Sequence, residues 1–111
     1  MRPGRLGLLI PAVGAAAALA LASPVGAAPR VYTVTLDKMK FGPAPGVLHV
    51  GDRILWVNKD FLRHSATAAD RSFDVDLPAG KSGAVVLRKA GALVVACKFH
   101  PGMKVQLNVA K

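Results

Sequence analysis

The chain has no glutamate, a single cysteine, and only six acidic residues against fifteen lysines and arginines. Each scarcity removes a class of explanation. One cysteine forbids an internal disulfide framework, so that thiol is a buried apolar group, a link to another chain, or a ligand. Aromatic residues make up 5% of the chain, and no nucleic-acid-binding motif accompanies the net charge of +9. The positive balance therefore argues for an acidic protein partner and against nucleic acid. Helical periodicity longer than a turn is missing after residue 27, and so is any internal repeat. A chain of 111 residues has room for one domain of this kind.

Charge is also missing from Leu6 to Ala22, a Leu/Ala-rich stretch behind the positive head Met1-Arg2-Pro3-Gly4-Arg5. The pattern is that of a secretory signal peptide. Val25-Gly26-Ala27 fits the small-residue cleavage rule, which puts the cut after Ala27 and leaves residues 28–111 as the mature domain. An uncleaved anchor is the competing reading, because the apolar stretch approaches spanning length. Gly7, Pro11 and Gly14 interrupt it and a cleavage pattern follows, so no membrane span is expected after processing. No cysteine lies near the cut to carry a lipid, and no twin-arginine pair is present. Removing residues 1–27 takes away Arg2 and Arg5 and leaves a domain of about +7.

The mature segment alternates with a period of two. Tyr32, Val34 and Leu36 share one face of a strand. Met39 and Phe41 alternate in the opposite phase, which predicts a bulge or bend near Asp37. Val47–Val50 and Arg53–Asn58 are further strands on either side of a Gly51-Asp52 turn, with Ile54 and Trp56 on one face. From Lys59 to Gly80 only Phe73–Leu77 alternates, and the remainder of that segment reads as loop. Ser82–Arg88, Leu93–Cys97 and Val105–Val109 complete the set. Seven to eight short strands punctuated by Gly and Pro predict an all-β, antiparallel sandwich.

The chemistry concentrates in Cys97-Lys98-Phe99-His100-Pro101-Gly102-Met103. A thiolate, an imidazole and a thioether fall within seven residues, at the end of one strand and in the loop leading to the last. With a second imidazole from His64, placed in the earlier loop, they make the donor set that mononuclear copper electron-transfer sites use: two nitrogens and a thiolate in a plane, with a weak axial sulfur. Taken singly, Cys97 reads as a small buried hydrophobe, His100 as a surface residue beside a turn, and Met103 as core filler. Together, at this spacing, they read as a metal site. Zinc is the nearest competitor, but structural zinc sites draw on more cysteines and a thioether is a poor zinc ligand.

The segments Phe41-Gly42-Pro43, Val50–Asp60, His64-Ser65-Ala66-Thr67-Ala68 and Cys97–Met103 resemble the cupredoxin family of small blue copper proteins, and within it the amicyanin-like subgroup with two residues between the loop histidine and the methionine. The resemblance implies a Greek-key β-sandwich over residues 31–109 and one type 1 copper per chain held by His64, Cys97, His100 and Met103. It also implies that the Ser65 N–H faces the thiolate and that the Ser65 hydroxyl ties its loop to the Cys97 loop. Amicyanins carry proline before the second histidine, where this chain has Phe99, which keeps an N–H.

The function expected on this reading is single-electron transfer between redox partner proteins in the periplasm or another exported compartment, by a monomer. Pro43, Leu62, Pro101 and Met103 are expected around the His100 edge, with Lys59, Arg63, Lys98 and Lys104 as a basic rim facing an acidic partner. A copper carrier or buffer without an electron-transfer role is the alternative, although Met39 and Met103 alone make a poor methionine-rich tract. An enzyme is not expected: three histidines cannot build an additional open copper site or a copper cluster.

Overall fold

The two faces of β1 (Val31–Asp37) separate as the alternation requires: Val34 and Leu36 are buried and the intervening positions are more exposed. The structure is a computed structural model and describes residues 28–111, so the signal-peptide expectation lies outside the described residues. After β1 come β2 (Lys40–Phe41), β3 (Leu48–His49), β4 (Arg53–Asn58), β5 (His64–Ala68), β6 (Asp74–Leu77), β7 (Ser82–Val86), β8 (Gly91–Ala96) and β9 (Lys104–Ala110). One sheet has the order β2-β1-β4-β7 and the other β3-β9-β8-β5-β6.

The all-β sandwich is as expected, with nine strands where seven to eight were expected and with a refinement in strand direction. Five pairings are antiparallel, but β1 and β4 run parallel from Val31 opposite Arg53 to Leu36 opposite Asn58, as do β3 and β9. The cause is the route of the chain. It leaves the first sheet after β2, crosses to β3 and returns to β4, so β4 enters beside β1 from the same end. The C-terminal ends of β1 and β4 therefore lie together, and Lys59 N–H donates to Leu36 C=O at 2.8 Å.

Of the bulge or bend expected near Asp37, the structure has the bend, as a two-residue hairpin turn. Asp37 pairs with Lys40, and Lys38 and Met39 sit at φ of 53° and 63°. Two consecutive left-handed residues are the signature of a type I′ turn, usually filled by Asn-Gly. Lys and Met disfavour that conformation, so the turn needs an outside brace. It has one in Asp60, whose Oδ2 accepts the Met39 N–H at 3.1 Å.

Between the sheets, Trp56 is fully buried with Phe41 edge-on at 5.7 Å and Phe73 at 6.1 Å. Leu36, Ile54, Leu77, Val95 and Leu107 fill the space around it, each contributing about 1.5–3 kcal/mol by burial. Cys97 and Met103 belong to the same packed cluster, so the far wall of the core is also the inner wall of the candidate site.

Candidate metal centre

His64 is the first residue of β5, not part of a loop. His-Ser-Ala-Thr-Ala carries no hydrophobic alternation, yet four of these five residues are buried: β6 and β8 flank its edges, and Ser65, on the face opposite His64 and Ala66, lies under the Lys98 peptide whose N–H it accepts. Cys97 follows the last residue of β8, and Met103 immediately precedes β9. The Cys97 N–H donates to Met103 C=O at 3.1 Å, continuing the β8–β9 ladder across the loop. The Met103 N–H donates to His100 C=O at 2.8 Å, closing a four-residue turn with Pro101 at its second position.

This framework brings three donors together. His64 Nδ1 lies 3.2 Å from His100 Nδ1, and Cys97 Sγ lies 3.8 Å and 3.6 Å from those two nitrogens. The point equidistant from the corners of this triangle is about 2 Å from each, close to the ~2.0–2.3 Å of imidazole–metal and thiolate–metal bonds. The donor triangle therefore fits one transition-metal ion without rearrangement. His64 and Cys97 are fully buried, whereas His100 keeps an exposed part, so it alone of the three gives the centre an edge in solvent. Met103 is buried beside them, and its backbone pins both ends of the ligand loop.

The tautomer of His64 follows from its other nitrogen. Nε2 is 2.9 Å from Asp60 Oδ2. The hydrogen bond from His64, with those from the Met39 and Phe61 N–H groups, holds the Asp60 carboxyl below its ordinary 3.8 despite burial. An ionised carboxylate can only accept, so Nε2 carries the hydrogen and the Nδ1 lone pair faces the other donors. Asp60 is in turn placed by Asn58, whose Oδ1 accepts the Asp60 N–H at 2.8 Å while its Nδ2 donates to Leu62 C=O and Leu77 C=O. Sequence reasoning passed over both residues. The available signal was an acid four positions before a candidate ligand, following a polar residue at the end of a buried strand.

The expected tie between the two ligand segments is present: the Lys98 N–H donates to Ser65 Oγ at 2.9 Å. The surroundings of the His100 edge differ from expectation in two ways. Met103 is buried and cannot form part of an apolar patch, whereas Phe61 is 86% exposed, and Leu62 and Phe99 are also exposed. Of the four cations expected to form a free basic rim, two are engaged within the molecule. Arg63 donates twice to Asp76, at 2.9 Å and 2.6 Å, and Lys98 Nζ lies 3.0 Å from Asp74 Oδ2. β6 carries both acids on an exposed edge, a pairing invisible in sequence because Asp74 and Asp76 belong to a distant segment.

These contacts set an acid limit. Lys98 and Thr67 hold Asp74 below 3.8, Arg63 does so for Asp76, and the Arg30 and His49 N–H groups do so for Asp52. A carboxylate depressed in the folded state stabilises it above the unfolded value, and that contribution is lost as pH falls through the folded value. The urea midpoint should therefore be insensitive to these acids above about pH 5 and fall below about pH 4. A midpoint unchanged down to pH 3 would contradict the assignment.

No protein-family model matches the chain, and no curated protein is similar to it in sequence. Solved structures do match. A purple cupredoxin from Nitrosopumilus maritimus superposes with a TM-score of 0.64 at 19% identity, over 71% of this chain and 99% of that one. The reduced state of a proline-to-phenylalanine variant of amicyanin gives 0.60 at 22% identity, over 71% and 81%. A reduced Cu(I) form of a proline-to-glycine amicyanin variant gives 0.62 at 22%, over 78% and 85%. The chain has the cupredoxin fold.

Proposed function

We propose that this chain is an exported type 1 copper protein that carries single electrons between redox partners. The observation that carries the reading is the triangle of His64 Nδ1, His100 Nδ1 and Cys97 Sγ, preformed around a point about 2 Å from each donor. Copper bound there would supply a Cu(I)/Cu(II) couple, and Met103 is the candidate for a weak axial sulfur. The residues around it supply rigidity. Asp60 fixes the His64 ring, Ser65 Oγ holds the Lys98 peptide, and the Met103 backbone closes the His100 turn. Donors held in place need little movement when the charge of the ion changes.

The His100 edge is the proposed electron port, with Phe61, Leu62 and Phe99 as the apolar surface near it and a small, transient interface as the mode of docking. Lys59 and Lys104 remain on the exposed surface beside the ligand segments and favour an acidic partner. A cavity of about 470 Å³, the size of a substrate site, lies at the opposite end of β9 and is lined by Arg30, Tyr32, His49 and Lys111. The proposal includes a signal peptide over residues 1–27, a domain over 28–111, export to the periplasm and a monomeric carrier.

The test is the absorption and EPR spectrum of the copper-loaded protein. An intense visible thiolate-to-copper band with narrow hyperfine splitting is expected, and a site that stays colourless after copper addition and oxidation sinks the proposal. Reversible voltammetry separates an electron carrier from a copper buffer. Within this reading, Phe99 keeps an N–H next to the thiolate loop that proline would remove. Phe99→Pro should therefore lower the reduction potential by about 40 mV, the equivalent of one ~1 kcal/mol hydrogen bond to the electron-rich reduced state. An unchanged or higher potential would refute that role.

A further inference from the structure

Two cations, each itself anchored, lie over the Phe99 ring. The Arg63 guanidinium carbon lies 5.3 Å from the ring centroid and Lys98 Nζ lies 5.9 Å from it. Arg63 is held by its bidentate pair with Asp76, and Lys98 by Asp74. Asp74 is braced in turn: Thr67 Oγ1 donates to its Oδ1 at 2.9 Å, and Thr67 Oγ1 lies 2.9 Å from Ser65 Oγ, which accepts the Lys98 N–H. The chain of contacts thus runs from the edge strand β6 through β5 to the ligand loop and closes on itself.

We propose that Asp74, Asp76, Arg63 and Lys98 form an ionic clamp on Phe99 that positions the His100 loop and makes its rigidity dependent on ionic strength. The inference rests on the reading of His100 as a metal ligand. Residues 97–103 form no regular structure, and the next backbone restraints are the turn at Pro101 and the Cys97–Met103 bond. The peptide that joins Cys97 to His100 is therefore held through the Lys98 N–H and the Phe99 ring. An isolated exposed ion pair contributes little. Here the pairs are joined in a network, one is bidentate, and both cations face one aromatic ring, which is the arrangement in which surface charges do hold a geometry. Because the participating side chains are about half exposed, salt screens them, and the clamp loosens as the Debye length shortens from ~10 Å at 0.1 M to ~3 Å at 1 M.

The experiment measures amide hydrogen exchange at Lys98 and Met103, whose N–H groups donate to Ser65 Oγ and His100 C=O, in the metal-free protein, and copper(I) transfer to a chelator from the loaded protein, at low and high salt. In the parent protein both rates should rise with salt. Arg63→Gln and Lys98→Gln should each raise them roughly threefold at low salt, and the double variant about tenfold, with the salt dependence gone. Arg63→Lys keeps the charge but loses the bidentate bond, so it should retain only part of the protection, and Phe99→Leu should match the double variant while leaving core amides such as those of Trp56 and Val95 protected. Loop exchange that ignores both salt and the substitutions overturns the clamp. A parent protein that binds copper without colour overturns the type 1 reading instead, and the metal-free exchange data still decide the clamp.

Discussion

Cys97→Ser is expected to abolish the visible band completely and to weaken copper binding by more than about a hundredfold, beyond the 10–100-fold typical of losing an outer-shell partner. The thiolate is the only soft, strongly donating atom in the triangle, at 3.8 Å and 3.6 Å from the two imidazole nitrogens. Serine places a hydroxyl there that stays protonated at neutral pH and is a poor donor to Cu(I). The substitution is close to isosteric, and Cys97 is buried among Leu107, Val95 and Met103, so the metal-free fold should survive. The two imidazole nitrogens lie 3.8 Å and 3.6 Å from Sγ, too far for a direct bond to the shorter serine side chain, so burying the hydroxyl costs about 1–2 kcal/mol. The apo melting temperature should fall by no more than roughly 5–10 °C. Absorption, EPR and copper competition titration check the first claim, and calorimetry of the apo protein the second. A variant that keeps an intense visible band would remove Cys97 from the centre and leave the proposal without its main support.

The parts legible in the sequence were those whose cause is local. The spacing of Cys97, His100 and Met103 is a property of one loop, and the structure closes that loop with the Pro101-Gly102 turn that the residue types require. Alternation marked β1 and β4 because each buries only one face. β5 was not legible for the opposite reason. The ligand segment lies over its second face, where Ser65 accepts the Lys98 N–H, so small and polar residues are buried on both faces and the period of two disappears. Asp60 escaped because its partners come from two segments: the Met39 N–H exists as a donor only once Lys38 and Met39 have adopted positive φ, and His64 Nε2 turns toward it only once β5 is in place. The basic rim was half right for a related reason. Charges were counted along the chain, whereas the acids that engage Arg63 and Lys98 arrive by strand pairing, with Ser65 opposite Asp76 and Thr67 opposite Asp74.

Asp60→Ala should damage the fold and the centre together, and Asp60→Asn should separate the two. In the wild-type protein Oδ2 accepts both His64 Nε2–H and the Met39 N–H, and Oδ1 accepts the Phe61 N–H. Alanine leaves all three donors without that acceptor in an environment where Asp60 is 8% exposed, and the Lys38–Met39 turn loses the brace that offsets its disfavoured backbone. Copper affinity should fall 10–100-fold, and the melting temperature by roughly 10 °C. Asparagine can place its carbonyl oxygen where Oδ2 was, which retains the bonds to Met39 and His64 and the tautomer that aims Nδ1 at the other donors. What it removes is the negative charge, together with the Oδ1 acceptor of the Phe61 N–H. A carboxylate hydrogen-bonded to an imidazole makes the ring a stronger donor and favours the more highly charged Cu(II) form. Its neutral replacement should therefore raise the reduction potential, by about 59 mV for each tenfold loss of Cu(II) over Cu(I) preference. Melting temperature and potential then move in different proportions: Ala loses all three bonds and lowers the first most, whereas Asn loses only the bond to Phe61, with a smaller fall in the first, and shifts the second. Should Asn leave the potential in place, the charge does not tune the centre, and Asp60 acts as a hydrogen-bond acceptor that braces the hairpin and sets the His64 tautomer.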